Sequence, residues 1–532
     1  MMVMLLTVVG VASAQDIQGM YAIDHVKRIV VATSSLPPTK ETIEVRGEQY
    51  TYYRSEMPLI TITTDGPIVN SPAVHGVINV AEANGNVVTM HAGFKIRGTS
   101  SQQYDKKSYR IELWKDATGT ENADTTFLGL RSDDDWNLEA MTAQPLRLRD
   151  KIANELWMEM YTLPYHESEP EALPGIRMEY ADVFINDEYV GIYALTERID
   201  RKQLCLRKYN GTLRGLLYKG NGAGAPTFES LPAYDNTSDT WDNYEWVYPN
   251  ESDTVIDWYH LYSFTNFVMN ASDNVFNAQY AAQIDKDNVI DYYLFINALK
   301  AMDNMGRNIF LARYKKSSPY LYIPWDLDAI LGLDTDGNQT HWAGGLKSNG
   351  LFDRLMHDCT TDGFVATAKT RYNALRETYL NTEHIMDLVQ NQYDVLLESG
   401  AYDREHEAWP DYTVDESQLT YMNNWLKARF DYLDKEILAD CGTWGIEVPE
   451  PVEVPIQSIQ VFPNPAKDRI NVCFAETCEA VVHLYDMMGR LVYTNNATTQ
   501  FFVIPTQNLA KGIYTLVVNC DGKQQVDRVV VE

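Results

Sequence analysis

The chain has 532 residues, 45% of them hydrophobic and 22% charged. That composition supports folded domains with sizeable cores and excludes a disordered, fibrous or low-complexity chain. With 44 Lys and Arg against 74 Asp and Glu the formal net charge is −30, which repels phosphate backbones and excludes wholesale nucleic-acid binding.

The opening residues, MMVMLLTVVGVASAQ, are apolar and close on Ala12-Ser13-Ala14. This small-x-small pattern predicts a signal peptide over 1–14, cut before Gln15, and hence an exported protein. Residues 15–57 read as an N-terminal extension. No later run reaches ~18 apolar residues, so no membrane-spanning helix is expected. From about 59 to 197 the runs LITITTD, VHGVINVAE, NVVTMHAGFKIRG, KSYRIELW, EYADVFIN and EYVGIYALTE predict strands. One helix interrupts them over about 146–161, with Ile152, Leu156 and Met160 on one face.

Residues 222–250 carry GAGAP, DNTSDT and YPNES and read as an irregular insertion or connection. From about 253 to 438 the chain reads as mostly helical. One helix has Thr382 as its N-cap candidate, an apolar stripe of Ile385, Val389, Tyr393 and Leu396, and Gly400 as its stop. The segment GIEVPEPVEVP marks a linker over 445–456. After it, RINVCF, AVVHLYD, RLVYT and IYTLVVN alternate with turn residues and predict a small β-sandwich over 457–532. Of the six Cys none forms a C-x-x-C pair, which argues against zinc. Cys473, Cys478 and Cys520 cluster near the end of the chain, so a disulfide is expected there, with its pairing open.

Two stretches carry candidate chemistry. In FKIRGTSSQQYDKKSYRIEL, period-two alternation puts Lys107 on the face of Tyr109, Ile111 and Leu113, where a cation calls for an anionic partner. In the turn before it, Arg97, Gly98, Thr99, Ser100 and Ser101 suit phosphate oxygens. In DNMGRNIFLARYKKSSPYLYIPWDLDAILG, Asp303 and Asn308 stand as D-x-x-x-x-N, followed by a hairpin that ends at Asp326. Kinases use this order, with an Asp accepting the hydroxyl proton and a following Asn and Asp holding magnesium. The run Asp133-Asp134-Asp135 reads as a solvated charge cluster or a cation site. Glu197 reads as facing a nucleotide or as structural, and both readings stay open.

From about 58 to 436 the chain resembles the CotH kinase family. The resemblance rests on KIRGTSSQQYDKKSYRIEL, LGLRSDDDWNLEAM, PLRLRDKIANELW, ADVFINDEYVGIYALTERID, DNMGRNIFLARY and YIPWDLDAILG, in that order. It implies an α+β, two-lobed atypical protein-kinase-like fold over 58–444, strand-rich to about 200 and helical after, followed by the C-terminal β-sandwich. It implies transfer of the γ-phosphate of ATP, with Mg2+ or Mn2+, to Ser or Thr of protein substrates. The implied roles are Asp303 in catalysis, Lys107 on the ATP phosphates and Asn308 and Asp326 on the metal. Arg97, Ser100 and Ser101 lie about the nucleotide, and Glu155 on the 146–161 helix is the candidate partner of Lys107, with Glu159 a further choice on the same helix. Ala301 and Met302 precede Asp303 where other kinases carry His-Arg, and D-L-D replaces D-F-G. The alternatives are therefore an inactive kinase-like scaffold serving surface adhesion or interaction, or transfer of another group from ATP.

The tail, with VFPNPAKDRINV, VVHLYDMMGRLVY, LAKGIYTLVVN and DRVVVE, resembles the type IX secretion sorting domain of Bacteroidetes. This implies interaction with that machinery and passage through the periplasm to the outer-membrane surface or the medium.

Overall fold

The structure is a computed structural model that describes residues 20–250, 255–441, 459–462, 466, 469–520 and 523–531. The signal-peptide segment 1–14 and the linker 445–456 lie outside the described residues. The chain divides between 450 and 451 into two compact units. The first mixes helices and strands; the second is built of strands.

Among the described residues, the strands expected from 59 to 197 close into a barrel of seven. Its order is Asp135–Glu139, Glu188–Thr196, Met178–Ile185, Leu59–Thr64, Val74–Ala81, Val87–Arg97 and Ser108–Trp114, with the last returning to the first. Closure removes exposed sheet edges, which would otherwise recruit other chains. Alternating residues such as Ile60, Ile78, Phe94, Ile111, Leu138 and Val183 point into one core around Trp136.

Residues 21–55, which the sequence left as an extension, form a four-stranded sheet. Its central strands, Ile29–Thr33 and Glu48–Ser55, pair in parallel. Ile29, Val31 and Tyr53 pack against Leu59, Phe184 and Tyr189 of the barrel. Parallel pairing joins residues about 22 positions apart in sequence, beyond the reach of hairpin signals.

The single helix among the barrel strands is Arg149–Met160, and it buries Ile152, Leu156 and Met160 as expected. Residues 222–250 are only partly irregular. Strands Thr240–Trp241 and Tyr244–Tyr248 join Leu216–Asn221, Arg307–Arg313 and Leu321–Pro324 in a second sheet. Their aromatics, Trp241, Tyr244 and Trp246, are buried near Trp258, so tertiary burial outweighs the polar turn residues between them.

The helices that follow surround Lys286–Leu299, which is buried continuously from Asn288 onward. Asp285 caps its start by accepting from the Asn288 N–H at 2.9 Å. Helix Thr382–Glu398 buries Ile385, Val389, Tyr393 and Leu396. Its N-cap is Asn381 rather than Thr382, because the Asn381 side chain accepts from the His384 N–H at 2.8 Å. Cys359 and Cys441 form a disulfide across 82 residues.

The second unit is a sheet of five strands with one core. Its longest strand, Arg469–Tyr485, pairs with Leu491–Pro505 and shifts register between Cys473 and Cys478. One half of it also pairs with Ile459–Phe462 and the other with Gly512–Cys520. The disulfide expected there joins Cys478 to Cys520.

Candidate functional site

The barrel, the helix start at Arg149 and the hairpin of Arg307–Arg313 with Leu321–Pro324 meet at one cleft of about 890 Å3. That size suits a nucleotide. Its walls carry Arg97, Asp150, Asp303, Asn308, Asp326 and Asp328, together with Arg198 and Lys219.

Asn308 and Asp326 are set by the hairpin of Arg307–Arg313 with Leu321–Pro324. Ile309 pairs with Pro324, and the Trp325 N–H donates to the Asn308 carbonyl at 3.1 Å. Both residues adopt left-handed backbone, Asn308 at φ 55° and Asp326 at φ 56°. Such conformations cost energy and persist where the surroundings enforce them. The enforcing group is the Asn304 amide, buried and donating to the carbonyls of Asn308 at 2.9 Å and Trp325 at 2.8 Å.

Asp303 follows the buried helix, which ends at Lys300 in left-handed conformation (φ 50°). Its carboxylate lies 3.4 Å from the Arg307 guanidinium. Asp150 sits in the first turn of helix Arg149–Met160, where the helix dipole favours an anion, and accepts from the Gln144 amide at 2.8 Å. Burial, and then the Asp326 carboxylate, push its pKa up to about 7, while Arg97 pulls it back. Asp328 is raised well above the usual carboxylate range by burial and by Asp326 and Asp150. Three carboxylates thus repel one another in a partly desolvated space. With the Asn308 amide they supply hard oxygen atoms of the kind Mg2+ or Mn2+ takes, although among the described residues only Asp124, Asp133 and Asp134 stand at metal-ligand spacing.

Cations line the same cleft. Arg97 ends strand Val87–Arg97, pairs with Glu139 and lies 6.0 Å from the Trp325 ring centre. Burial lowers its pKa, and Asp326 raises it in turn. Gly98 follows at φ 93°, and a Cβ there would overlap the Ser101 hydroxyl, so only Gly admits this turn. Ser101 lines the cleft; the Ser100 side chain lies outside the described residues. Arg198 and Arg110 both bind Asp135, at 2.8 and 3.1 Å. Burial holds Lys219 below its ordinary pKa.

Lys107 is not brought to the cleft. Its ammonium donates to the carbonyls of Gln102, at 2.7 Å, and of Tyr104. The strand starts at Ser108, so the period-two alternation does not extend back to Lys107. Glu155 does not meet it either: Glu155 lies 3.2 Å from Lys151 and accepts from Gln392 at 3.1 Å. Glu159 instead contacts His384 at 2.6 Å.

The buried lysine is Lys106, which is part of the cleft lining and donates to Glu405 and to the Ile192 carbonyl, both at 2.6 Å. Burial pushes its pKa down to about 8 despite Glu405. Glu405, on helix Ala401–Ala408, also accepts from Arg147 Nε at 3.1 Å and the Ile192 N–H at 2.8 Å. Gly191 makes room for it, because a Cβ there would stand 2.3 Å from a Glu405 oxygen.

Two open readings resolve as structural. Glu197 is buried and accepts from the Arg131 and Arg177 N–H groups at 2.8 and 2.9 Å and from Gln203 at 2.9 Å. Asp124, Asp133 and Asp134 surround the Lys202 ammonium, each at 2.7 Å, so a lysine fills that acidic pocket.

A family model described as CotH kinase protein matches residues 94–433, more than half of the chain. A second, described as a secretion system C-terminal sorting domain, matches residues 460–532. The sorting domain implies interaction with the type IX secretion machinery and indicates export to the cell surface or secretion. Among the described residues no helix is long and apolar enough to cross a membrane. No curated protein matches the chain. Among solved structures, a DUF3244 family protein with an immunoglobulin-like β-sandwich fold from Bacteroides vulgatus is similar over 14% of this chain and 84% of its own. Its identity is 18% and its TM-score 0.13. PorZ, described as an essential surface component of the type-IX secretion system of Porphyromonas gingivalis, is similar over 17% of this chain and 13% of its own. Its identity is 22% and its TM-score 0.14. At those scores neither carries a structural argument.

Proposed function

The chain belongs to the CotH kinase family, and we propose that it is an exported kinase that transfers the γ-phosphate of ATP to Ser or Thr hydroxyls of protein substrates. One observation carries the reading: Asp150, Asp326, Asp328 and Asn308 line one cleft together with Arg97, Arg198 and Lys219, and the three carboxylates repel one another there. Mutually repelling carboxylates cost stability, and a scaffold that only binds proteins has no use for them.

In this reading the barrel and the helical part act as the two lobes of a kinase-like fold. Asp326, Asn308, Asp328 and Asp150 would hold the metal, while Arg97, Arg198 and Lys219 would hold phosphate oxygens. Magnesium or manganese there would supply charge neutralisation for the triphosphate. Asp303 accepts the proton of the acceptor hydroxyl. A bond forms between that oxygen and the γ-phosphorus, the bond to the β–γ bridging oxygen breaks, and ADP leaves with the electron pair. Lys106, locked to Glu405, is a positioning residue for the cleft wall. The scaffold alternative has one observation in its favour, the absence of Lys107 from the cleft.

The reading is tested by thermal shift. ATP with magnesium should raise the melting temperature, and ATP with a chelator should not, because a ligand that binds only the folded state stabilises it by mass action. No metal-dependent response to millimolar ATP would defeat the proposal.

A further inference from the structure

Cations are segregated in this acidic chain. Residues 201–228 carry six Lys or Arg and no carboxylate, and residues 304–325 carry four and none. The fold brings the two stretches together. The Arg207 N–H donates to the Tyr314 carbonyl at 3.0 Å, and the Gly215 N–H closes the loop onto the Arg207 carbonyl at 2.9 Å. Between this loop and the turn of the hairpin lies an open groove of about 430 Å3, lined by Arg207, Leu213, Arg214, Lys315, Lys316 and Ser317.

The floor is fixed. Tyr314 stacks on Tyr165 at 4.1 Å between ring centres, and the Arg207 guanidinium lies 4.9 Å from the Tyr314 ring centre. Arg207 has one carboxylate near it, Glu169 at 3.5 Å. Arg214, Lys315 and Lys316 form no ion pair among the described residues, and Lys315 and Lys316 are exposed.

We propose that this groove docks an acidic segment of the protein acceptor. The inference rests on the kinase reading, since it assigns a substrate class to the same hairpin. The cations are spread along a groove instead of converging on a point, which suits an extended chain of carboxylates more than a small anion. Leu213 gives such a chain one apolar contact. Because the rest of the molecule is strongly negative, an acidic segment is repelled elsewhere and steered here.

The groove and the cleft occupy opposite ends of one hairpin. At ~3.3 Å per strand residue, Asn308 and Lys315 are roughly 20–25 Å apart. An extended acceptor spans that distance with about seven residues. Docking therefore raises the effective concentration of a hydroxyl placed about seven residues from an acidic run.

The test uses the full chain and a fluorescein-labelled octaglutamate peptide, read by anisotropy. Wild type should bind it, more weakly as salt rises. Arg214→Glu/Lys315→Glu/Lys316→Glu should bind at least about tenfold more weakly. Lys315→Ala/Lys316→Ala, milder toward folding, should fall between. Undiminished binding in the triple variant would overturn the proposal. So would a groove-dependent capture of heparin with no capture of the peptide, which would assign the groove to a sulfated polysaccharide. The ATP–magnesium melting shift, measured on the same proteins, separates the two ideas. Its absence from wild type, with peptide binding still lost in the variants, would leave the docking groove standing and remove the kinase.

Discussion

The backbone N–H of Trp325 donates to the carbonyl of Asn308 at 3.1 Å, one residue from Asp326 on one strand and at Asn308 itself on the other. Two left-handed residues thus line the cleft from the open base of a single hairpin. The separation in sequence is long, but the register leaves their backbones no freedom to drift apart.

Asn304 maintains that register. Asn304→Ala removes the side-chain donor from the Trp325 carbonyl and one of the two donors from the Asn308 carbonyl, which keeps the Trp325 N–H. It should lower unfolding free energy by about 1–3 kcal/mol in urea denaturation. It should also weaken the ATP–magnesium melting shift. Unchanged stability would mean that the backbone alone fixes the hairpin base.

Asp150→Asn should raise the stability of the metal-free protein at neutral pH while weakening the metal-dependent shift. The sign follows from linkage. Burial and the Asp326 carboxylate push the folded Asp150 pKa up to about 7 from the ordinary 3.8, so the folded state holds the extra proton between those values. Its contribution to stability therefore falls as pH rises from about 4 to 7 and stays low above that. The variant should flatten melting temperature against pH across this window. An unchanged profile would remove Asp150 from the carboxylate cluster.

Glu405→Ala strands Lys106 and Arg147 in a buried site. Breaking a buried pair from one side typically costs about 3–5 kcal/mol. Chemical denaturation should register a loss of that order, and a loss below about 1 kcal/mol would show that water or other groups replace the carboxylate.

The Cys359–Cys441 bridge closes an 82-residue span. Chain-entropy arguments give such a loop about 4 kcal/mol of stabilisation. Cys359→Ser/Cys441→Ser should melt well below wild type in the absence of reductant. Coincident melting curves would mean that the bridge does not form.

What the sequence made legible follows from the range of each signal. The strand runs of the barrel and the stripe of Ile385, Val389, Tyr393 and Leu396 are local periodicities, and the fold reproduces both. The hairpin from Asn308 to Asp326 was readable because both residues belong to one continuous strand–turn–strand segment. Lys107 misled because alternation was extended past the start of the strand, where loop carbonyls capture the ammonium. Asp150 was invisible as a cleft residue because the carboxylate that perturbs it, Asp326, is far away in sequence. Glu405 was likewise hidden, since nothing near it hints at Lys106. The parallel pairing of Ile29–Thr33 with Glu48–Ser55 leaves no turn signature.

The central claim is phosphoryl transfer at this cleft, and γ-labelled ATP tests it most directly. The full chain, incubated with labelled ATP and magnesium, should place label on itself or on a protein acceptor. Asp303→Ala should reduce the rate by ~10²–10⁴ while keeping the ATP–magnesium melting shift. Asp326→Ala should lose both rate and shift. Absence of label with wild type across acceptors and metals, or equal labelling by wild type and both variants, would contradict the account.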